Sequence, residues 1–327
     1  MPINDTLNKI NPYTAAIALL SVSLAFMHIN FVMYINSMEI YNMYISIADG
    51  QYSEPNMQAR ILFAILVKLS GFLLPAKLMP IPHIYHPSLS LGLVEFAAFY
   101  FSLMGLFLLS NELLKSRLMS LFLVIIYSVY VPYIFQLPGR FGEIFITGFF
   151  CWLVYTALKK QLAAFILLLI LASFQRVDVA VTGLFFKFVY EWIQGQNKIK
   201  VLLYNSLLLI IPYVIISSIT KTYQLDLAGA YVSMERIIKY VRGNTGFLPV
   251  LFLCYMPIFL GTISRFRKFD KRVYYMLFSL GPYLLYVFTF GGFSETRLLH
   301  PLFVTLLLGI FSSITVPEAK EFFNKNL

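Results

Sequence analysis

The stretch 58-QARILFAILVKLSGFLLP-75 decides how the rest of the chain is threaded. It is apolar, yet only 14 residues separate Arg60 from Pro75, and Lys68 sits among them. A helix needs roughly 20 apolar residues to cross a hydrocarbon layer. If this segment crosses, every later loop changes side; if it lies flat, none does.

Composition supplies the setting. Hydrophobic residues make up 59% and charged residues 12% of the 327-residue chain, with mean hydropathy +0.77. Soluble domains run near 45–50% apolar and about 25% charged. The reading is an all-α polytopic membrane protein, one integral membrane domain over 1–327, with no length left for a soluble domain beside about ten spans. Apolar runs predict spans at 13–35, 88–110, 118–135, 143–158, 161–175, 178–193, 201–219, 247–264, 273–290 and 298–316. The first run is about twice the length of a signal-peptide core and lacks a small-x-small cleavage site, so it reads as a retained span. Cys151 and Cys254 fall inside apolar runs and read as small packing residues.

Charge settles the awkward segment. If 58–75 lies along the surface, one side of the membrane collects Lys9, Lys115, Arg117, Lys159, Lys160, Lys198, Lys200 and the run 265-RFRKFDKR-272. The positive-inside rule favours that arrangement. Both termini are then cytoplasmic, and 58–75 is an amphipathic helix on the outer leaflet. The net charge of +10 is thereby a matter of topology, and no nucleic-acid partner is implied.

The outer face receives a different inventory: Glu39 and Asp49 in a loop over 36–87, Arg60, His83 and His86, Arg140 with Glu143, and Arg176 with Asp178 in 173-SFQRVDVA-180. It also receives a second loop over 220–246, and Glu295, Arg297 and His300 in 291-GGFSETRLLHP-301. Charges at membrane edges are costly and mark candidate sites. Each acid–arginine pair has a plain alternative, a local ion pair satisfying itself at the interface. Three such tight loops together read instead as a polar cavity open to the outer face. Guanidinium groups recognise phosphate in bidentate fashion, so the cavity suits a phosphorylated or pyrophosphorylated ligand. His83 and His86, in a Pro-flanked loop, read as interfacial, and no metal ligands are assigned.

The order of these parts resembles polytopic glycosyltransferases of the GT-C class, the small bacterial members in particular. The resemblance rests on Glu39, Tyr44, Ala48 and Gly50 after the first span, then Arg60 and Leu62, and finally Glu295, Arg297 and Pro301 entering the last span. Arg176 matches an arginine of a further mid-chain pattern. These short anchors are spread over nearly the whole chain. The resemblance implies a transferase using a polyprenyl-phosphate-linked sugar, a glycan or lipid acceptor of the cell envelope, and a multi-pass setting among the lipids of the bacterial cytoplasmic (inner) membrane, with the site on its outer face. It also implies surface helices in the first outer loop. Glu39 stands where the family usually has Asp and is the expected base, with Asp49 in reserve. Arg60, Arg140, Arg176, Glu295, Arg297 and His300 are the expected contacts to the substrate and its lipid phosphate, and a divalent metal is left open as cofactor. Two other readings stay open: a polymerase of lipid-linked repeat units, and a transporter or flippase of a lipid-linked or anionic solute. The latter generally shows internal repeats, and none is evident.

Overall fold

Every regular element among the described residues is helical. The computed structural model describes residues 11–28, 37–51, 61–74, 89–134, 144–195, 197–222, 248–290 and 299–314. In chain order the helices are α1 Pro12–Met27, α2 Ser37–Ala48, α3 Ile61–Leu73, α4 Leu89–Leu114, α5 Arg117–Ile134, α6 Ile144–Leu158, α7 Leu162–Gln175, α8 Val177–Ile193, α9 Lys198–Leu208, α10 Ile210–Thr222, α11 Leu248–Arg265, α12 Lys271–Phe290 and α13 His300–Ser312. Two stretches, Ser90–Leu114 and Lys198–Ile219, are long and apolar enough to cross a membrane.

Local chemistry explains where the helices begin and end. Asn11 caps α1 by accepting from Tyr13 N at 3.1 Å, and Asn197 caps α9 by accepting from Ile199 N and Lys200 N. Lys115 and Lys160 adopt positive φ of 55° and 56° just past α4 and α6, turning the chain within two or three residues. Pro212 has no N–H, so the carbonyl of Leu208 lacks its helical donor and the helix divides at Leu209 into α9 and α10.

Ion pairs and side-chain contacts sort the helix ends into two groups. At one end Glu112 of α4 pairs with Lys115 and Lys159 at 2.7 and 2.5 Å. Arg272 of α12 donates to the Glu112 and Leu113 carbonyls at 3.4 Å and binds Asp270 with two nitrogens. Partial burial acts to raise the Asp270 carboxyl, but the hydrogen bonds and charge of Arg272 outweigh it and hold it below the usual carboxylate range. Ser312 of α13 receives Asp270 N there, and Tyr13 of α1 stacks on Phe107. Most of the basic loop residues lie at this end.

The opposite end carries the C-terminus of α7 and the N-termini of α4, α6, α8 and α13. Helix α3 lies across it. Phe63 N, in its first turn, donates to Gln175 at the end of α7, while Ser70 Oγ near its other end donates to Ser90 O at the start of α4. Its 13 residues thus run from one helix terminus to another on the same side of the bundle. Both anchoring contacts of α3 therefore lie at one end of the bundle. Helix α2 packs on α3, with the Tyr44 and Phe63 rings 4.8 Å apart.

The most extensive helix–helix contact among the described residues joins α4 and α6. A side chain at Gly105 would meet Trp152 at 2.7 Å, and one at Gly148 would meet Phe101 at 2.6 Å, so glycine permits the approach. Buried Ser21, Ser128 and Ser173 donate back to carbonyls four residues earlier on their own helices. That removes a polar group from an apolar interior. The exterior is apolar as well: Leu19, Phe26, Val129, Leu167, Ile199, Leu207, Tyr213, Ile263 and Phe278 are each more than half exposed.

Candidate functional site

The chain turns from α7 to α8 on one residue, Arg176, whose extended backbone (φ −157°, ψ 100°) separates the two helices. Its Nε donates to Asp178 Oδ1 at 2.9 Å and its Nη2 to Asp178 Oδ2, a bidentate fork. Both side chains are more than nine-tenths buried. Asp178 Oδ1 also accepts from Val179 N at 3.0 Å, within the first turn of α8, where a negative charge is favoured. Gln175, fully buried, reaches the other way to the first turn of α3. Three consecutive features of one corner, Gln175, Arg176 and Asp178, therefore tie α3, α7 and α8 together.

Beneath the corner lies an open groove of about 500 Å³ between α8, α9 and α12. Asp178 stands at its head, and Val181, Phe185, Phe188, Leu202 and Pro282 supply apolar walls. The volume falls in the range of ligand-holding cavities.

Asp49, just past α2, forms an ion pair with Lys68 of α3 at 2.5 Å. Lys68 is five residues beyond Phe63, about 7.5 Å along the helix axis, so Asp49 and the Arg176 corner flank the same short helix. His300 is buried in the first turn of α13. Its Nδ1 is 2.6 Å from the Tyr127 hydroxyl, which is 2.9 Å from Thr147 Oγ1. Those contacts place His300 between α5 and α6, one turn below the same end of the bundle.

Glu39 belongs to α2, but its side chain lies outside the described residues, as do Arg60, Arg140, Glu143, Glu295, Arg297, His83 and His86. So does most of the 220–246 loop. The structure brings together Arg176 and Asp178, places Asp49 beside the adjoining helix, and sets His300 in the packed interior nearby. Among the described residues no three His, Cys, Asp or Glu side chains converge as metal ligands, and Asp49 is engaged by Lys68. Cys151 is a buried free thiol, as its apolar setting suggests.

Several polar contacts join residues far apart in the sequence. Glu95, fully buried on α4, is met by His28 Nδ1 at 2.8 Å from the end of α1. Gln175, Lys68, Tyr127 and Thr147 each acquire their role only through a contact far along the chain. No family model matches the sequence, and comparison with curated proteins and with solved structures finds no match either.

Proposed function

We propose that the chain is a polytopic membrane glycosyltransferase of the bacterial cytoplasmic membrane that takes a sugar from a polyprenyl-phosphate donor and passes it to a cell-envelope glycan or lipid acceptor at the outer face. The observation that carries the reading is an apolar groove headed by Asp178, whose carboxylate is paired with the buried Arg176 adjoining it. A lipid phosphate matches the guanidinium, and a prenyl chain matches the groove. The apolar exterior and the gathering of basic residues at the far end support a bilayer around ten transverse helices, with that basic end cytoplasmic.

In this account an acceptor hydroxyl gives its proton to Glu39, with Asp49 in reserve, as its oxygen bonds to the anomeric carbon of the donor. The bond from that carbon to the phosphate oxygen breaks, and the electron pair leaves on the phosphate. Base catalysis of this kind contributes about 10²–10⁴-fold. Asp178 fixes the plane of the Arg176 guanidinium, the orientation that a charge-stabilising arginine needs. Arg60, Arg140 and Arg297 act on the same phosphate, with Glu295 orienting Arg297. Tyr127 and Thr147 hold His300 and so set the direction in which the chain enters α13. No step is routed through a metal. The test is surface-glycan composition in the native host carrying Glu39→Gln or Arg297→Ala, each shown to insert normally. The account expects loss of a glycan component; an unchanged composition overturns it.

A flippase or transporter is the second reading, and one observation favours it. Asn205 lines the inner part of the groove and also bonds Lys187 and Glu191, which line a crevice at the basic end. The two cavities thus adjoin across a polar latch. A polymerase of lipid-linked repeats shares the transferase chemistry and differs only in its acceptor.

A further inference from the structure

The crevice at the basic end has its own chemistry. It holds about 210 Å³ between the α6–α7 turn and helices α8 and α9, and its lining includes Lys160, Gln161, Phe165, Lys187, Glu191 and Tyr204. Lys187 is buried, with Nζ 2.7 Å from Glu191, 3.3 Å from Asn205 Oδ1 and 4.8 Å from the centre of the Tyr204 ring. Asn205 Nδ2 holds Glu191 at 3.0 Å. Glu191 therefore offsets Lys187 and is itself fixed in place. The second lysine, Lys160, is exposed and has no carboxylate partner inside the crevice, so two lysines against one carboxylate leave one positive charge in excess. The left-handed backbone of Lys160 closes the α6–α7 turn at the crevice rim.

We infer that this crevice binds a phosphate-bearing anion. A phosphate fits the volume. Lys160 supplies the net charge, and Gln161 and Tyr204, residues of the same lining, carry hydrogen-bond donors. Basic recesses between helices at a cytoplasmic membrane face are suited to anionic lipid headgroups, and the mixed apolar and polar walls suit the junction of headgroup and chain. A soluble organic phosphate offers the same chemistry. The inference rests on the membrane reading for the lipid source and is independent of the transfer chemistry at the opposite end.

The test is native mass spectrometry of the full-length protein in detergent, with phosphatidylglycerol, phosphatidylcholine or glycerol 3-phosphate as probe. Lys160→Gln and Lys198→Gln both change exposed lysines at the basic end, but only Lys160 lines the crevice. Binding of phosphatidylglycerol or glycerol 3-phosphate that weakens about fivefold in Lys160→Gln and is unchanged in Lys198→Gln supports the site, and the probe that binds identifies the source. Equal weakening in both variants, no weakening in Lys160→Gln, or equal retention of phosphatidylcholine overturns it. Binding survives loss of any transferase activity, so failure of one account leaves the other measurable.

Discussion

Gln175, the last residue of α7, accepts the backbone N–H of Phe63 in the first turn of α3 at 3.0 Å, both groups buried. The bond fixes one end of the helix that lies across the bundle, and Ser70 with Ser90 fixes the other. Removing the acceptor leaves a buried N–H without its partner, at about 1–3 kcal/mol. Gln175→Leu is expected to lower stability in detergent by that amount and to speed amide exchange in α3 before the rest of the bundle. Uniform exchange across all helices contradicts the role.

The Arg176–Asp178 pair separates structure from function in a second experiment. Removing one partner of a buried pair strands the other charge, and Asp178→Leu is expected to cost about 3–5 kcal/mol. Replacing both, as in Arg176→Met with Asp178→Leu, restores most of that stability because no charge is stranded. If the arginine serves a lipid phosphate, the double variant is folded and inactive. A folded double variant with full activity reduces the pair to an interfacial staple.

Acid acts on the Asp270–Arg272 pair at the other end. The Asp270 carboxyl is held below its ordinary range in the folded protein, so its pairing with Arg272 contributes stability that is fully present above the unfolded-state value. That contribution is lost as pH falls through the depressed folded value. Asp270→Asn is expected to be less stable at neutral pH by about 1 kcal/mol. The gap from the parent should close on acidification below about pH 4. Denaturant titrations at neutral and acid pH measure this; a gap that widens with acid reverses the sign and refutes it.

Threading is tested by side-specific reporters. If 58–75 lies flat, as the charge distribution predicts, fusions after residue 80 report from outside and fusions after residue 115, at the basic end, from inside. The inverse, inside after 80 and outside after 115, means that 58–75 crosses and overturns the threading.

The helices were legible because nearly every apolar run is bounded by a charge, proline or cap residue. Helix α4 runs on past its expected end at 110 to Leu114 because Lys115, Lys159 and Arg272 hold Glu112 there. Proline at 212 divides a span that hydropathy reads as continuous. At the site, Arg176 and Asp178 were legible as neighbours two positions apart. The groove was not, since its walls come from α8, α9 and α12, about 100 residues apart at the extremes. Nothing local marks Lys68 as the partner of Asp49, or Tyr127 as the partner of His300. Such pairings depend on which helix faces which, and an all-apolar helix gives no periodic signal to say so.

The central claim is that the head of the groove, where Asp178 is paired with Arg176, holds a lipid phosphate. The most direct measurement is native mass spectrometry of the purified protein with polyprenyl phosphate, comparing the parent with the folded Arg176→Met, Asp178→Leu variant. A one-to-one adduct in the parent, weakened about tenfold or more in the variant, is the predicted result, since charge-assisted bonds of this kind contribute about 1.5–3 kcal/mol each. An adduct of equal strength in both proteins, or none in the parent, contradicts the account.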